Sequence, residues 1–168
     1  MPEKIIENFL DDQIFNPLCN LVLNEINFPW YYNPGVAYVG DDFYFVHPIF
    51  EEGRGFVSSF PDLREKLIKP LFELLNMKEL LRARLLLYVN QGKQIVHNKH
   101  IDFDWTHHAF LLYLNDNDGY TEFHYENRPS RKIISTTNRA VIFDGSKLHN
   151  SSTPTNNKRR VVLAINYL

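Results

Sequence analysis

Apolar positions along this chain change their period near residue 80. Before that point they recur at helical spacing twice. Leu18, Leu21, Val22 and Ile26 follow Asn16-Pro17, which reads as a cap with proline in the first turn, so a helix is predicted to start there. Ser59-Phe60-Pro61-Asp62 resembles a capping box and leads into Leu63, Leu67, Leu71, Leu74 and Leu75 on one face. Pro70 should kink or split that second helix, because it lacks the N–H the preceding turn needs. Both helices are expected to pack on the outside of a sheet.

Beyond residue 80 the apolar positions come in short bursts. The stretches 82–89, 95–103, 109–115, 120–125, 132–135, 140–143, 148–151 and 160–167 read as strands. Turn-forming residues separate them, including Asn90-Gln91-Gly92 and Asp144-Gly145-Ser146. Eight short strands with no helix between them predict a mainly β protein with flanking helices, a double-stranded β-helix (jelly roll, cupin-like) rather than a parallel α/β sheet. No repeat or linker interrupts the pattern. One domain over 1–168 is expected, with 1–81 as helical and aromatic-rich support and 82–168 as the jelly-roll core that carries any chemistry.

Residues 28–60 are crowded with aromatics, among them Trp30, Tyr31, Tyr32, Phe43, Tyr44 and Phe45, and alternation over 43–46 predicts a strand. These rings either fill core and seal a sheet edge or form a substrate wall. The stretch Glu51-Glu52-Gly53-Arg54-Gly55 reads as a loop, and residues 51–56 are either a connector or a lid.

Composition narrows the picture by exclusion. In 168 residues, 44% apolar and 23% charged side chains are ordinary for a globular protein with a core of its own. A formal charge of −2 gives no broad footprint for nucleic acid. Cys19 stands alone, so no internal disulfide can form and a reducing compartment is expected. Met1-Pro2-Glu3-Lys4 lacks the basic-then-apolar order of a signal peptide, and no apolar run approaches the ~20 residues of a membrane span. A cytoplasmic protein with no membrane partner is the expectation.

Against that background one pattern carries chemistry. In an extended strand, His100 and Asp102 share a face while Ile101 points away. His149 falls on a late strand that a jelly roll can lay beside an early one. Two imidazoles and one carboxylate hold one face of an octahedral ferrous ion and leave coordination positions open, whereas structural zinc sites favour cysteines or a fourth ligand. Arg159 and Arg160 open the last strand, and only one of them can point inward. Parity selects Arg160, whose companions Val162, Ala164 and Asn166 suit a pocket, and leaves Arg159 facing solvent. A guanidinium there would pair with a buried carboxylate of an acidic cosubstrate.

Taken with Leu86-Leu87-Tyr88-Val89-Asn90-Gln91-Gly92, Phe110-Leu111-Leu112-Tyr113-Leu114-Asn115, Gly119-Tyr120-Thr121-Glu122-Phe123 and Ala140-Val141-Ile142-Phe143-Asp144, these residues resemble the Fe(II)- and 2-oxoglutarate-dependent dioxygenases, specifically their prolyl-hydroxylase-like branch and its small phage and bacterial members. The resemblance covers residues 82–168. It implies Fe(II), 2-oxoglutarate and O2 as cofactor and cosubstrates, with His100, Asp102 and His149 as metal ligands and Arg160 as the carboxylate anchor. It further implies that Tyr113 helps bind the distal carboxylate and that Tyr88 lines the cosubstrate, although either phenol also suits an ordinary core. Tyr120 stands where the family commonly has a second glycine, and Val162 where a serine is often found.

The implied activity is hydroxylation of an unactivated C–H bond, in a peptidyl prolyl or other amino-acid side chain or in a small molecule, with release of succinate and CO2. The competing reading is a cupin-like metal-binding protein that does not use 2-oxoglutarate. His97 and His124 are expected to be surface or packing residues; His107 and His108, which follow the metal strand, are expected to be partly exposed at a loop-to-strand junction, the other reading being that they support the metal ligands or face substrate. Asp104 is passed over for Asp102, and Asn98 and Asn150 flank the site as candidates for positioning substrate or O2.

Overall fold

The computed structural model describes residues Pro2–Leu168. The chain begins with β1 (Lys4–Ile6), α1 (Asp12–Cys19) and a π-helical continuation over Asn20–Asn24. Next come β2 (Tyr31–Asn33), β3 (Tyr44–Glu51), β4 (Gly55–Phe56), a π-helical stretch over Leu63–Ile68 and α2 (Lys69–Leu74). The rest is strand: β5 (Leu80–Val89), β6 (His108–Tyr113), β7 (Tyr120–Phe123), β8 (Arg131–Ile134), β9 (Ala140–Asp144), β10 (His149–Ser151) and β11 (Arg159–Tyr167).

Two antiparallel sheets face each other. The larger runs β1-β9-β6-β11-β5-β3-β2 with β4 on β3, and the smaller runs β10-β7-β8. Residues 95–101 lie along β10 through isolated bridges at Val96↔Ser152 and His100↔His149. With that segment counted as an irregular strand, the eight expected strands divide four and four between the sheets, crossing at every connection except the β7–β8 hairpin.

Alternation on β5 and β11 decides the rest. Ala83, Leu85, Leu163 and Ile165 project to the outer face, where Leu18, Val22, Leu63, Leu67 and Leu71 of the helical segments cover them in the main core. Leu86, Tyr88 and Val162 project between the sheets with Tyr113, Phe123 and Phe143. The helices therefore lie outside the barrel, as their apolar stripes require.

Several local expectations need correction. The first helix starts four residues earlier than Asn16: the Asp11 carboxylate caps it by accepting from the Gln13 N–H, and Pro17 lies inside it. Helical structure ends at Asn24, so Ile26 is not a core position but is 92% exposed. The second helix does divide beside Pro70, though by a change of register rather than a break. Pro70 is the second residue of the α segment, one past the point where the π register gives way at Lys69, where a missing N–H is best tolerated. Leu74, expected on the buried stripe, is exposed.

The predicted strand 95–103 is not regular, because its partner β10 spans only three residues and Asp102 has already turned to donate its N–H to the Gly145 carbonyl. β1 escaped the sequence reading because it is short and sits among charged residues. The stretch 51–55 is the tip of the β3–β4 hairpin, closed by an Arg54–Glu51 ion pair.

Candidate metal and cosubstrate site

Between the sheets lies a cavity with a histidine–aspartate cluster at one end and a buried arginine at the other. His100 and His149 are brought together by a pair of backbone hydrogen bonds, each N–H donating to the other's carbonyl at 2.9 Å. Their rings sit 4.5 Å apart, centroid to centroid. Asp102 joins them, and one donor atom from each of His100, Asp102 and His149 lies within 4.8 Å of the others. The three residues thus meet as the sequence suggested, though through a bridge and a turn rather than along one regular strand.

Each donor is held from behind. His149 Nδ1 is 2.8 Å from the Lys147 carbonyl, which leaves Nε2 as its free donor. Asp102 accepts from Arg82 at 2.8 Å on one oxygen and from Asn166 Nδ2 at 2.9 Å on the other. Burial opposes ionisation of Asp102, but the His149 ring, Arg82 and Asn166 outweigh it and hold the carboxyl below its ordinary value. Burial and then the adjacent His149 push the His100 imidazole down to about 4, so its neutral, metal-binding form prevails near pH 7. Two imidazoles and a carboxylate with open space before them suit a divalent ion with vacant coordination positions.

Asn166 extends the network to His107, whose Nε2 lies 3.1 Å from its amide. His107 was expected to be partly exposed; it is 3% exposed and wedged against Gly145, where a Cβ would fall 2.1 Å from its Nε2. His108 is exposed, as expected, and stacks on Tyr167. Arg82 and Asn166 were missed as supports of the ligand set, whereas a supporting place was one of the readings open for His107. The only sequence signal was that 82, 84, 86 and 88 share parity, as do 160, 162, 164 and 166.

At the far end Arg160 is 1% exposed. Its guanidinium donates to Ser135 Oγ at 2.6 Å and Thr121 Oγ1 at 3.0 Å, and lies 5.2 Å from the Tyr88 ring and 5.4 Å from the Tyr113 ring. Tyr113 donates its hydroxyl to the same Thr121 oxygen at 2.9 Å. No carboxylate among the described residues lies within 4.0 Å of Arg160. A buried cation without an anion is costly, so the site fits a group that brings its own carboxylate. Gly119 makes room for it, since a Cβ there would fall 2.6 Å from Arg160 Cδ. Tyr120, the departure from a second glycine, accepts from Lys132 and leaves the cavity open.

Val162 lines the cavity where a serine would add a hydrogen bond, and Thr121 and Ser135 supply hydroxyls beside Arg160 instead. Arg159 is half-buried rather than solvent-facing, and its guanidinium donates to the Leu23 carbonyl on the helical side.

Among the other candidates, Tyr44 reaches the cavity and stacks on Tyr88 at 5.8 Å, while Tyr31 and Tyr32 stay exposed at the sheet edge. His97 is buried, stacks on Tyr88 at 5.1 Å and pairs with Ser151 Oγ at 2.7 Å. Asn150, opposite in parity to His149, turns away from the cavity toward His124. Asn98 binds Asp41 at 2.9 Å, and Asp104 is exposed. No residue of the 51–55 hairpin tip lines the cavity. Among the described residues no helix is long and apolar enough to cross a membrane.

No protein-family model matches the chain, and no curated protein matches it in sequence. Solved structures do match its fold. A prolyl hydroxylase from Trichoplax adhaerens, in complex with a peptide fragment of the hypoxia inducible factor oxygen degradation domain, superposes with a TM-score of 0.70 at 18% identity, covering 99% of this chain and 83% of that one. A 2OG-Fe(II) oxygenase family oxidoreductase from Burkholderia pseudomallei gives 0.72 at 12% identity, over 98% and 84%. The non-heme alpha ketoglutarate dependent epimerase SnoN from nogalamycin biosynthesis gives 0.65 at 12%, over 99% and 77%. The chain therefore has the jelly-roll fold of the prolyl-hydroxylase-like 2-oxoglutarate oxygenases. That fold alone accommodates more than one outcome, so the reaction must be argued from the site.

Proposed function

We propose that this protein is an Fe(II)- and 2-oxoglutarate-dependent dioxygenase that hydroxylates an unactivated C–H bond in an amino-acid side chain, peptidyl or free, or in another small molecule. The observation that carries the reading is one cavity with His100, Asp102 and His149 at one end and the unpaired, buried Arg160 at the other. His100, Asp102 and His149 would hold the ferrous ion, which with 2-oxoglutarate and O2 supplies the oxidative chemistry whose products are succinate, CO2 and the hydroxylated substrate.

The chain's own residues bind, orient and exclude. Arg160 takes the distal carboxylate as a charge-assisted fork, with Thr121 and Tyr113 beside it fixing the angle of approach. Tyr88 packs over the same guanidinium, and burial raises the Tyr88 and Tyr113 hydroxyl pKa values, so both phenols stay protonated as donors. Arg82 and Asn166 fix both oxygens of Asp102, which orients that carboxylate toward the two imidazoles. Leu86, Leu111 and Val162 keep the intervening space apolar, so charged ends are favoured only where cations wait for them.

Thermal melting with Mn(II), with and without 2-oxoglutarate, tests the reading. The keto acid should raise Tm only when metal is present. A metal shift that saturating 2-oxoglutarate leaves unchanged would establish the cupin-like metal-binding alternative, which gives Arg160 nothing to bind.

A further inference from the structure

A second arginine faces this cavity and nothing so far uses it. On β5, Arg84 lies between Arg82 and Leu86 on the inward parity, opposite Ala164 of β11, with Leu111 of β6 next in the row. Arg82 is matched by Asp102 at 2.8 Å. Arg84 is matched by nothing: no carboxylate of the described residues lies within 4.0 Å, its side chain donates no hydrogen bond, and its Nε is fully buried without a partner. It nonetheless lines the cavity beside His100, Asp102 and His149. The small Ala164 side chain leaves the space before it open, so the fork faces a void rather than a neighbour.

Charge makes the same point. Granting the oxygenase reading, on which this inference rests, Asp102 and both carboxylates of 2-oxoglutarate stand against a divalent ion, Arg82, Arg84 and Arg160. Two positive charges stay uncompensated in the cavity. A neutral residue in mid-chain would leave them so. Arg84 also sits at the end of the cavity away from Arg160, four residues along the paired strand from the level of Arg160↔Tyr88. That separation is roughly 13 Å along the strand, beyond the reach of the carboxylate that Arg160 holds.

We infer that Arg84 is a specificity-determining residue that binds a carboxylate of the substrate itself, so the substrate is an organic acid such as a free amino acid or an acidic side chain rather than a neutral prolyl residue within a peptide. A single planar fork of donors matches one carboxylate in bidentate fashion.

The test has three arms. First, Mn(II)-dependent melting with 2-oxoglutarate compares the wild type with Arg84→Met. Equal shifts are expected, whereas loss in the variant alone would make Arg84 a cosubstrate contact and overturn the proposal. Absence of the shift in the wild type would instead sink the oxygenase reading itself, before any substrate is added. Second, in protein loaded with Zn(II) and 2-oxoglutarate, formate serves as the minimal carboxylate and should move the Arg84 Nε–H resonance, identified by its disappearance in Arg84→Lys. A resonance that formate leaves in place overturns the proposal.

Third, consumption of 2-oxoglutarate by the Fe(II) enzyme is compared with a pool of free amino acids and a pool of their C-terminal amides. Acids should stimulate more than amides. Arg84→Met should raise the KM for the stimulating acid on the order of ten- to a hundredfold, the range for one lost charge-assisted contact, with Arg84→Lys recovering part of it. Equal stimulation by amides, or an acid preference that survives in Arg84→Met, overturns the assignment.

Discussion

The two faces of β5 and β11 are built from the same strands by opposite rules. Outward positions such as Ala83, Leu85, Val161, Leu163 and Ile165 are apolar, closely packed and covered by helices. Inward positions include Arg82, Arg84, Arg160 and Asn166, interleaved with Leu86, Tyr88, Val162 and Ala164. Burial is severe on both sides: Leu163 is 0% exposed and Arg160 is 1% exposed. The difference is that one face closes on itself, whereas the other keeps a cation without its anion. Stability resides on the outer face and unmet binding capacity on the inner one, and each face should respond to mutation accordingly.

The sharpest break of that comparison is His149→Ala. It should abolish both turnover and the Mn(II)-dependent melting shift while leaving far-UV circular dichroism unchanged, because His149 contributes nothing to the helix-covered core. A variant that still binds metal with wild-type affinity would remove His149 from the ligand set.

On the outer face, Leu163→Ala should lower unfolding stability by about 2–5 kcal/mol through lost burial and a residual cavity. The metal and 2-oxoglutarate shifts should persist below the new Tm. Chemical denaturation reads the first effect and ligand melting the second.

Arg160→Met inverts the pattern. Replacing a buried, unpaired cation by an apolar chain of similar length should change the ligand-free stability by less than about 1 kcal/mol or raise it, while the shift given by 2-oxoglutarate disappears. A large loss of stability in the absence of ligand would mean that Ser135 and Thr121 already satisfy the guanidinium and that the inner face, too, is closed.

Much of this division was legible from period alone. Alternation marked β5, β6, β9 and β11, and two positions per imidazole–carboxylate repeat singled out His100 and Asp102. Parity placed Arg160 inward beside Val162 and Ala164. What stayed hidden lies in contacts between distant segments. His107 reads mainly as a loop-to-strand histidine until Gly145 and Asn166 close around it, and Arg82 reads only as the first residue of a strand until a turn delivers Asp102 to it. Residues 95–103 keep a strand-like pattern although only Val96 and His100 form bridges, because pairing depends on the length of β10 and not on the segment's own sequence. The helix start at Asp11 was missed for a local reason: the Asn16-Pro17 pair imitates a cap, while the true cap lies one turn earlier.

The smallest expected effect separates the faces by pH. Each has a buried histidine whose pKa burial lowers. His47 belongs to the outer side, its ring 4.5 Å from Phe28 and its nitrogens bound to the Pro29 carbonyl and Ser58 Oγ at 2.9 and 2.8 Å. His97 belongs to the inner side, stacked on Tyr88. Burial lowers both pKa values. For His97, which falls to about 4, the Arg160 charge adds to burial, with Asp41 and Asp42 opposing it.

A histidine whose folded pKa is depressed costs nothing while both states are neutral. The histidine contribution to stability should therefore be flat above about 6.5, fall as pH drops from there toward about 4 while the unfolded chain takes up protons the folded one refuses, and level off below. His97→Gln should remove its share of that slope, His100 carrying a comparable one, and His47→Gln a smaller part. Because Arg160 contributes to the His97 shift, a carboxylate bound to Arg160 should raise the His97 pKa and flatten the slope in wild type, with no change in His47. Denaturation midpoints measured across this range, with metal and with or without 2-oxoglutarate, read the effect. A slope that the keto acid leaves untouched would mean that the anion never reaches Arg160.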